Sequence, residues 1–179
     1  MASPDDRRSF LAQAVALVLG TVSLATPVVM GIVTLLNPLR MKGRAGQFMQ
    51  LATLDALPED GTPQKIPVVA DRTDAWNMYP NEAIGAVYLR RVGPKEVQAL
   101  QVVCPHAGCI VGYQPTPDGG KFFCPCHAAS FDLVGKRTDK KSASPRDLDT
   151  LEVKLGEHGE VLVNFESFET GSSKKVAKA

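Results

Sequence analysis

Charge is what the first part of this 179-residue chain lacks: the 31 residues from Ser9 to Leu39 carry none. Nor does the whole chain hold a surplus of either sign. Twenty Lys and Arg against 19 Asp and Glu leave a formal net charge of +1, which excludes the strongly basic face of a nucleic-acid binder. Cysteine and histidine are sparse, at four and three, too few for a disulfide-dense miniprotein. No internal repeat, phosphate-cradling loop, activated nucleophile or paired acid and base is visible, so the chain is not a full enzyme alone. What it does have is 44% hydrophobic content, which excludes a disordered or collagenous chain.

The apolar run begins at Phe10 and Leu11, continues through Val15 to Leu19, and reaches Leu35 and Leu36. A membrane-spanning helix needs about 20 such residues to cross about 30 Å of hydrocarbon, so residues 10–36 are expected to span. A buried core helix would rarely go so far without a charge. Thr21, Ser23, Thr26 and Pro27 interrupt the run. Short hydroxyls can bond back to the helix, while Pro27 leaves a carbonyl unpaired and is expected to kink it. Residues 1–9 end in Asp6-Arg7-Arg8-Ser9-Phe10-Leu11, which resembles the twin-arginine signal that exports proteins already folded around a cofactor. No small-x-small cleavage site follows, so the segment is expected to stay as a single-pass anchor. One signal opposes export: Arg40, Lys42 and Arg44 outnumber Arg7 and Arg8, and positive charge favours the cytoplasmic side.

Residues 37–46, rich in Pro, Gly and charge, read as a flexible linker. The head, 47–166, reads as β. Runs at Ala86 to Arg91 and Glu96 to Val103 flank Gly93-Pro94, and Leu151 to Leu155 and Val161 to Phe165 flank Gly156-Glu157-His158-Gly159. The last pair predicts a hairpin. One short helix is expected near Asp71 to Tyr79, and residues 167–179 are expected to be a disordered tail. His158, in the hairpin turn, reads as a surface residue.

Six of the seven Cys and His residues fall in two short segments, Cys104-Pro105-His106-Ala107-Gly108-Cys109 and Cys124-Pro125-Cys126-His127-Ala128-Ala129-Ser130-Phe131. Two plain disulfides would make the adjacent histidines a coincidence. A zinc site would more usually space its cysteines C-x2-C, whereas these are C-x4-C and C-x-C. A third account takes one Cys and one His from each segment as four ligands, leaving Cys109 and Cys126 to bridge the loops, and only this one uses all six.

C-x-H followed by C-x2-H resembles the signature of Rieske proteins. The resemblance is specific over the two boxes and loose elsewhere, extending to the β content and to Ser144-Pro145-Arg146. It implies one [2Fe–2S] cluster with two Cys on one iron and two His on the other: Cys104 and Cys124 inward, His106 and His127 outward, both histidines exposed. It further implies an all-β Rieske-type head of antiparallel sheets, with a small cluster-binding subdomain at about 102–147, behind one N-terminal transmembrane α-helix. Rieske proteins of quinol-oxidising bc and bf complexes carry a further Cys pair as a disulfide over the cluster, here Cys109 and Cys126. Disulfides persist on the oxidising side of a membrane, which agrees with export and places the head on the periplasmic side of a bacterial membrane.

The chain departs from the quinol-oxidising pattern after the second His. There Gly-Ser follows, and two residues later Tyr; here Ala128-Ala129 and Phe131 stand at those positions. In the family, that Ser and Tyr donate hydrogen bonds to sulfur, which raises the potential. Ala129 and Phe131 have no hydroxyl, so the potential is expected in the lower part of the range of roughly −150 to +300 mV, unless Ser130 supplies a donor. A low potential would suit a low-potential donor such as menaquinol.

The resemblance implies an electron-transfer subunit of a quinol:cytochrome oxidoreductase, with cytochrome b-type and cytochrome c-type subunits as partners. His127 would contact the quinol hydroxyl, since reduction of iron raises the proton affinity of an imidazole bound to it. The rival reading is the Rieske small subunit of an exported molybdenum oxidase of the arsenite oxidase type, which can also carry Phe at the Tyr position. A zinc-binding or disulfide-stabilised adhesion module is a third.

Overall fold

A computed structural model describes residues 4–37, 47–74, 77–117, 119–139 and 141–178. The linker expected at 37–46 lies outside the described residues, apart from Asn37.

Helix α1 runs Pro4–Leu36 and contains Pro27. Its stretch Arg7–Leu36 has a mean hydropathy of 2.1, with none of its most apolar window buried. Thirty residues at about 1.5 Å each give about 45 Å, longer than a hydrocarbon core. Thr26 and Thr34 donate their hydroxyls to the carbonyls of Val22 (2.7 Å) and Met30 (2.8 Å) one turn back. Those bonds satisfy the hydroxyls without water.

The head is a β structure of two sheets. Six strands form the larger sheet in the order β1 (Phe48–Thr53), β9 (Glu160–Asn164), β8 (Thr150–Leu155), β4 (Glu96–Gln101), β3 (Asn77–Gly93) and β2 (Gln64–Asp74). Three shorter strands, β5 (Gly112–Gln114), β6 (Lys121–Cys124) and β7 (Ala129–Phe131), form the second. The second sheet lies within residues 102–149, an insert between β4 and β8. These two strands pair antiparallel, Leu100 opposite Thr150, and the Gln101 amide donates to the Asp149 carbonyl at 2.8 Å.

Strand alternation decides how the halves join. Successive side chains point to opposite faces, so Val87 and Leu89 enter one core with Val161, Val163 and Phe165. Tyr88, between them, enters a second core with Leu100, Val111, Phe122 and Phe131. The consecutive buried residues of β3 are thus covered on both faces.

Two expectations are corrected. The segment near Asp71 to Tyr79 is not helical among its described residues. It is the end of β2 and the start of β3, whose outer residues are largely exposed and so lack the apolar alternation that marks a strand. The tail is ordered over 167–178. The Glu169 amide donates to the Val176 carbonyl (2.9 Å), the Lys178 amide to the Ser167 carbonyl (2.8 Å), and Phe168 is buried in the first core. A polar composition conceals this because the partners are backbone groups.

A candidate iron–sulfur centre on two loops

Loop one is a tight reversal closed by its own backbone. The Cys104 amide donates to the Cys109 carbonyl (2.8 Å), the Gly108 amide to the Cys104 carbonyl (3.0 Å), and the Val111 amide to the Val102 carbonyl (2.8 Å). Gly108 sits at φ +81°, a left-handed conformation that glycine adopts without cost. Loop two is the turn of the β6–β7 hairpin, closed where Cys124 pairs with Ala129. Ala128 there has φ +54°, a conformation costing an L-residue with a Cβ about 1–2 kcal/mol.

Cys109 and Cys126 are joined in a disulfide across 17 positions, while Cys104 and Cys124 are free thiols, both buried. The Cys124 sulfur and the two disulfide sulfurs lie within 4.8 Å of one another. The His106 and His127 rings meet edge to face, centroids 4.5 Å apart. His127 is exposed, as expected, but His106 is half-buried.

Electrostatics explain what such a site needs. Burial pushes the Cys104 thiol up to about 11, and the neighbouring Cys124 adds to the rise, against backbone amides of His106 and Ala107 that favour the thiolate. Two adjacent buried thiols ionise together only if cations compensate them, and metal ions do so. The donor set therefore fits a [2Fe–2S] centre with paired thiolates and paired imidazoles, the imidazoles at the solvent side.

Residues after loop two form a tight turn. Asp132 accepts the amides of Val134 (2.9 Å) and Lys136 (2.8 Å), and Gly135, at φ +93°, receives the Leu148 amide on its carbonyl (2.8 Å). Ala129 and Phe131 are buried in the core shared with Cys104 and Cys124. Ser130, between them on β7, is half-buried and faces the other side. It is turned away from the positions at which Ser and Tyr hydroxyls are missing.

Two further residues support the site: Tyr88, and Arg146, which in the sequence stands out only within the Ser144-Pro145-Arg146 stretch. The Tyr88 hydroxyl donates to the Val111 carbonyl and accepts the Tyr113 amide, both at 3.0 Å, tying β3 to the insert. Arg146 is buried and forked onto Asp149 (2.9 and 2.8 Å). The Asp149 contact holds the guanidinium above its usual range. The spacing Arg146-x-x-Asp149 was the available signal. His158 is exposed in the β8–β9 turn.

Two loops carrying paired thiols and paired imidazoles on a β insert, bridged by a disulfide, define a mixed Cys/His centre for iron and sulfide. Comparison with known proteins names the class: the Rieske [2Fe-2S] domain family matches residues 49–164, and the chain belongs to that family. It is 30% identical over 101 residues to the menaquinol:cytochrome c reductase iron-sulfur subunit of Bacillus subtilis, covering 56% of this chain and 58% of that one. It is 40% identical over 47 residues to the ubiquinol-cytochrome c reductase iron-sulfur subunit of Rhodobacter capsulatus, covering 26% and 24%. These matches span less than two thirds of the relatives' own length. Among solved structures, the cyanobacterial plasma membrane Rieske protein of Synechocystis is 24% identical with a TM-score of 0.43, covering 64% of this chain and 97% of that one.

Proposed function

We propose that this chain is the membrane-anchored iron–sulfur subunit of a quinol:cytochrome oxidoreductase of the bc type, oxidoreductive only within its complex. The observation that carries this reading is a Cys/His site bridged by a disulfide and opening to solvent at His127. Cys104 and Cys124, as thiolates, would hold one iron, and His106 and His127 the other. A bound [2Fe–2S] centre supplies one-electron acceptance at this edge.

His127 would meet the quinol hydroxyl and take its proton at a ring nitrogen. His106, half-buried beside it, would hold the pair in orientation. The disulfide would keep water and slack out of the two loops. The head would then pass its electron to a cytochrome c-type haem on a partner subunit, beside a cytochrome b-type subunit that binds the quinol. The missing hydroxyls at Ala129 and Phe131 favour a low-potential quinol, and menaquinol is the donor in the name of the Bacillus relative. Helix α1 would anchor the chain in one pass. The Arg7-Arg8 pair and the disulfide, which needs an oxidising compartment, support a head on the outer side. The linker at 37–46 would let the head travel between donor and acceptor, and proline insertions there should slow turnover without altering the spectrum.

Electron paramagnetic resonance on reduced native membranes, with and without an inhibitor of quinol oxidation, tests the reading. A rhombic [2Fe–2S] signal that changes with inhibitor is expected. A signal indifferent to inhibitor would transfer the assignment to the molybdenum-oxidase partner, and no signal from intact protein would overturn the cluster ligation.

A further inference from the structure

Three of the four cysteine sulfurs form a group that cuts across the iron ligation. The Sγ atoms of Cys109, Cys124 and Cys126 all lie within 4.8 Å of one another, with Cys124 buried, Cys109 half-buried and Cys126 exposed, and Cys104 falls outside this triad. Each loop has local bonds besides the Cys109–Cys126 bridge. The Cys104 amide donates to the Cys109 carbonyl and the Val111 amide to the Val102 carbonyl, both at 2.8 Å. Loop two is held by the β6–β7 pairing of Cys124 with Ala129. Opening the bridge therefore leaves three thiols gathered together on two closed loops.

Sulfur-only donors select soft cations, Cu+ and Zn2+ among them. A d10 cation bonded to three sulfurs at about 2.3 Å spreads them to about 4 Å apart, inside the 4.8 Å that the triad already spans. With the Cα atoms of Cys109 and Cys126 6.6 Å apart, their sulfurs reach that spacing by side-chain rotation once they are no longer bonded. Three ligands suit Cu+, whereas zinc takes a fourth. As a disulfide, Cys109 and Cys126 have no thiolate to offer, and the thiolate is the metal ligand. A dithiol reductant changes this: it gives two electrons and two protons to the bridge, leaving two thiols, and closes to its own disulfide.

We propose that in the reduced chain Cys109, Cys124 and Cys126 form a three-sulfur site for Cu+, and that closing the disulfide abolishes it. The cation enters at the exposed Cys126 and displaces the three thiol protons to solvent. Cys124 is also an iron ligand in the ligation proposed above, on which the next step rests: cation and cluster exclude each other. The disulfide is then a gate on metal selection, leaving Cys124 to iron once it has closed.

The test is a Cu+ titration of the full chain in detergent, freed of iron by a chelator, with bicinchoninate as the competing ligand. The disulfide form, the dithiol-reduced form (the reductant removed without air) and two reduced variants, Cys109→Ser with Cys126→Ser and Cys104→Ser, are compared, and circular dichroism melts check that each is folded. The expected result is one Cu+ per chain in the reduced wild type and in Cys104→Ser, with affinity lower by about a hundredfold or more in the disulfide form and in the double variant. Binding that survives in the double variant but is lost in Cys104→Ser, or equal binding by the disulfide and reduced forms, would overturn the proposal. If the iron-free chain does not fold, chains produced with added copper and purified under a dithiol are compared for copper content. Copper retained by the wild type and lost from the double variant is then expected, and equal copper in both overturns the site. The rhombic resonance of the iron-loaded chain tests the ligation separately: its absence from the wild type would overturn that reading and leave the copper measurement to decide this one.

Discussion

Replacing Tyr88 by Phe isolates one oxygen atom. The ring, 4.7 Å from that of Phe122, keeps its packing, but the Val111 carbonyl loses its donor and the Tyr113 amide its acceptor. Each orphaned buried group costs about 1–3 kcal/mol. Because both belong to one network their costs overlap, giving a total of roughly 2–4 kcal/mol. For a head of this size that is a fall in melting temperature of roughly 6–15 °C.

The alkaline limb adds an independent readout. Burial pushes the Tyr88 phenol up, partly offset by the Tyr113 amide, which favours the phenolate. In the unfolded chain the phenol ionises near pH 10, while the folded chain retains its proton to higher pH. The stabilisation from Tyr88 is therefore complete below about pH 10 and is lost as pH rises through the folded value. Melting of the full chain in detergent, followed by circular dichroism from pH 7 to pH 11, measures both effects. The wild type should lose stability more steeply than Tyr88→Phe above pH 10. A variant that melts with the wild type at pH 7, or an alkaline slope indifferent to the substitution, would refute the link assigned to this hydroxyl.

Three further outcomes follow from the loops. Removing the disulfide as Cys109→Ala with Cys126→Ala opens a 17-position closure and should cost about 3 kcal/mol by chain entropy, read as a melting temperature lower by about 10 °C. Phe131→Tyr, which restores a hydroxyl in the core shared with Cys104 and Cys124, should raise the midpoint in a redox titration by about 20–60 mV for one donor at sulfur. Ala128→Gly relieves the left-handed backbone at φ +54° but gives the unfolded chain more freedom, for a net gain of about 0.5–1 kcal/mol in denaturant melts.

Much of the head was legible because β8 and β9 alternate and β3 carries a continuous apolar run, Ala86 to Leu89, ahead of Gly93-Pro94. The runs at Ala86 to Arg91 and Leu151 to Leu155 lie in β3 and β8, and the Gly156 to Gly159 turn joins β8 to β9. The Cys109–Cys126 bridge and the pairing of the two boxes followed from a resemblance specific to six residues. What stayed hidden depends on backbone partners. Nothing in Thr170-Gly171-Ser172 announces that its peptide groups meet Arg146 and Pro105, since any residue carries the same amide and carbonyl. The outer β2 and β3 strands escaped for a different reason. A half-exposed strand such as Asn77-Met78-Tyr79-Pro80 has no buried face to impose a period of two.

The ends of the insert that bears the loops lie side by side, Gln101 bonded to Asp149. Its 48 residues, 102–149, therefore leave and rejoin the larger sheet at one point, like a cassette in a socket. The register of β4 against β8 is set by pairs that lie outside the cassette, Ala99 with Leu151 and Leu100 with Thr150. Cross-ties restrain it in the socket, among them Tyr88, the Arg90 guanidinium, which donates to the Leu133 carbonyl at 3.0 Å, and the Gln98 side-chain amide, which donates to the Val134 carbonyl at 3.0 Å. An electron carrier built this way can have its reactive tip retuned while the frame that bears it keeps its shape.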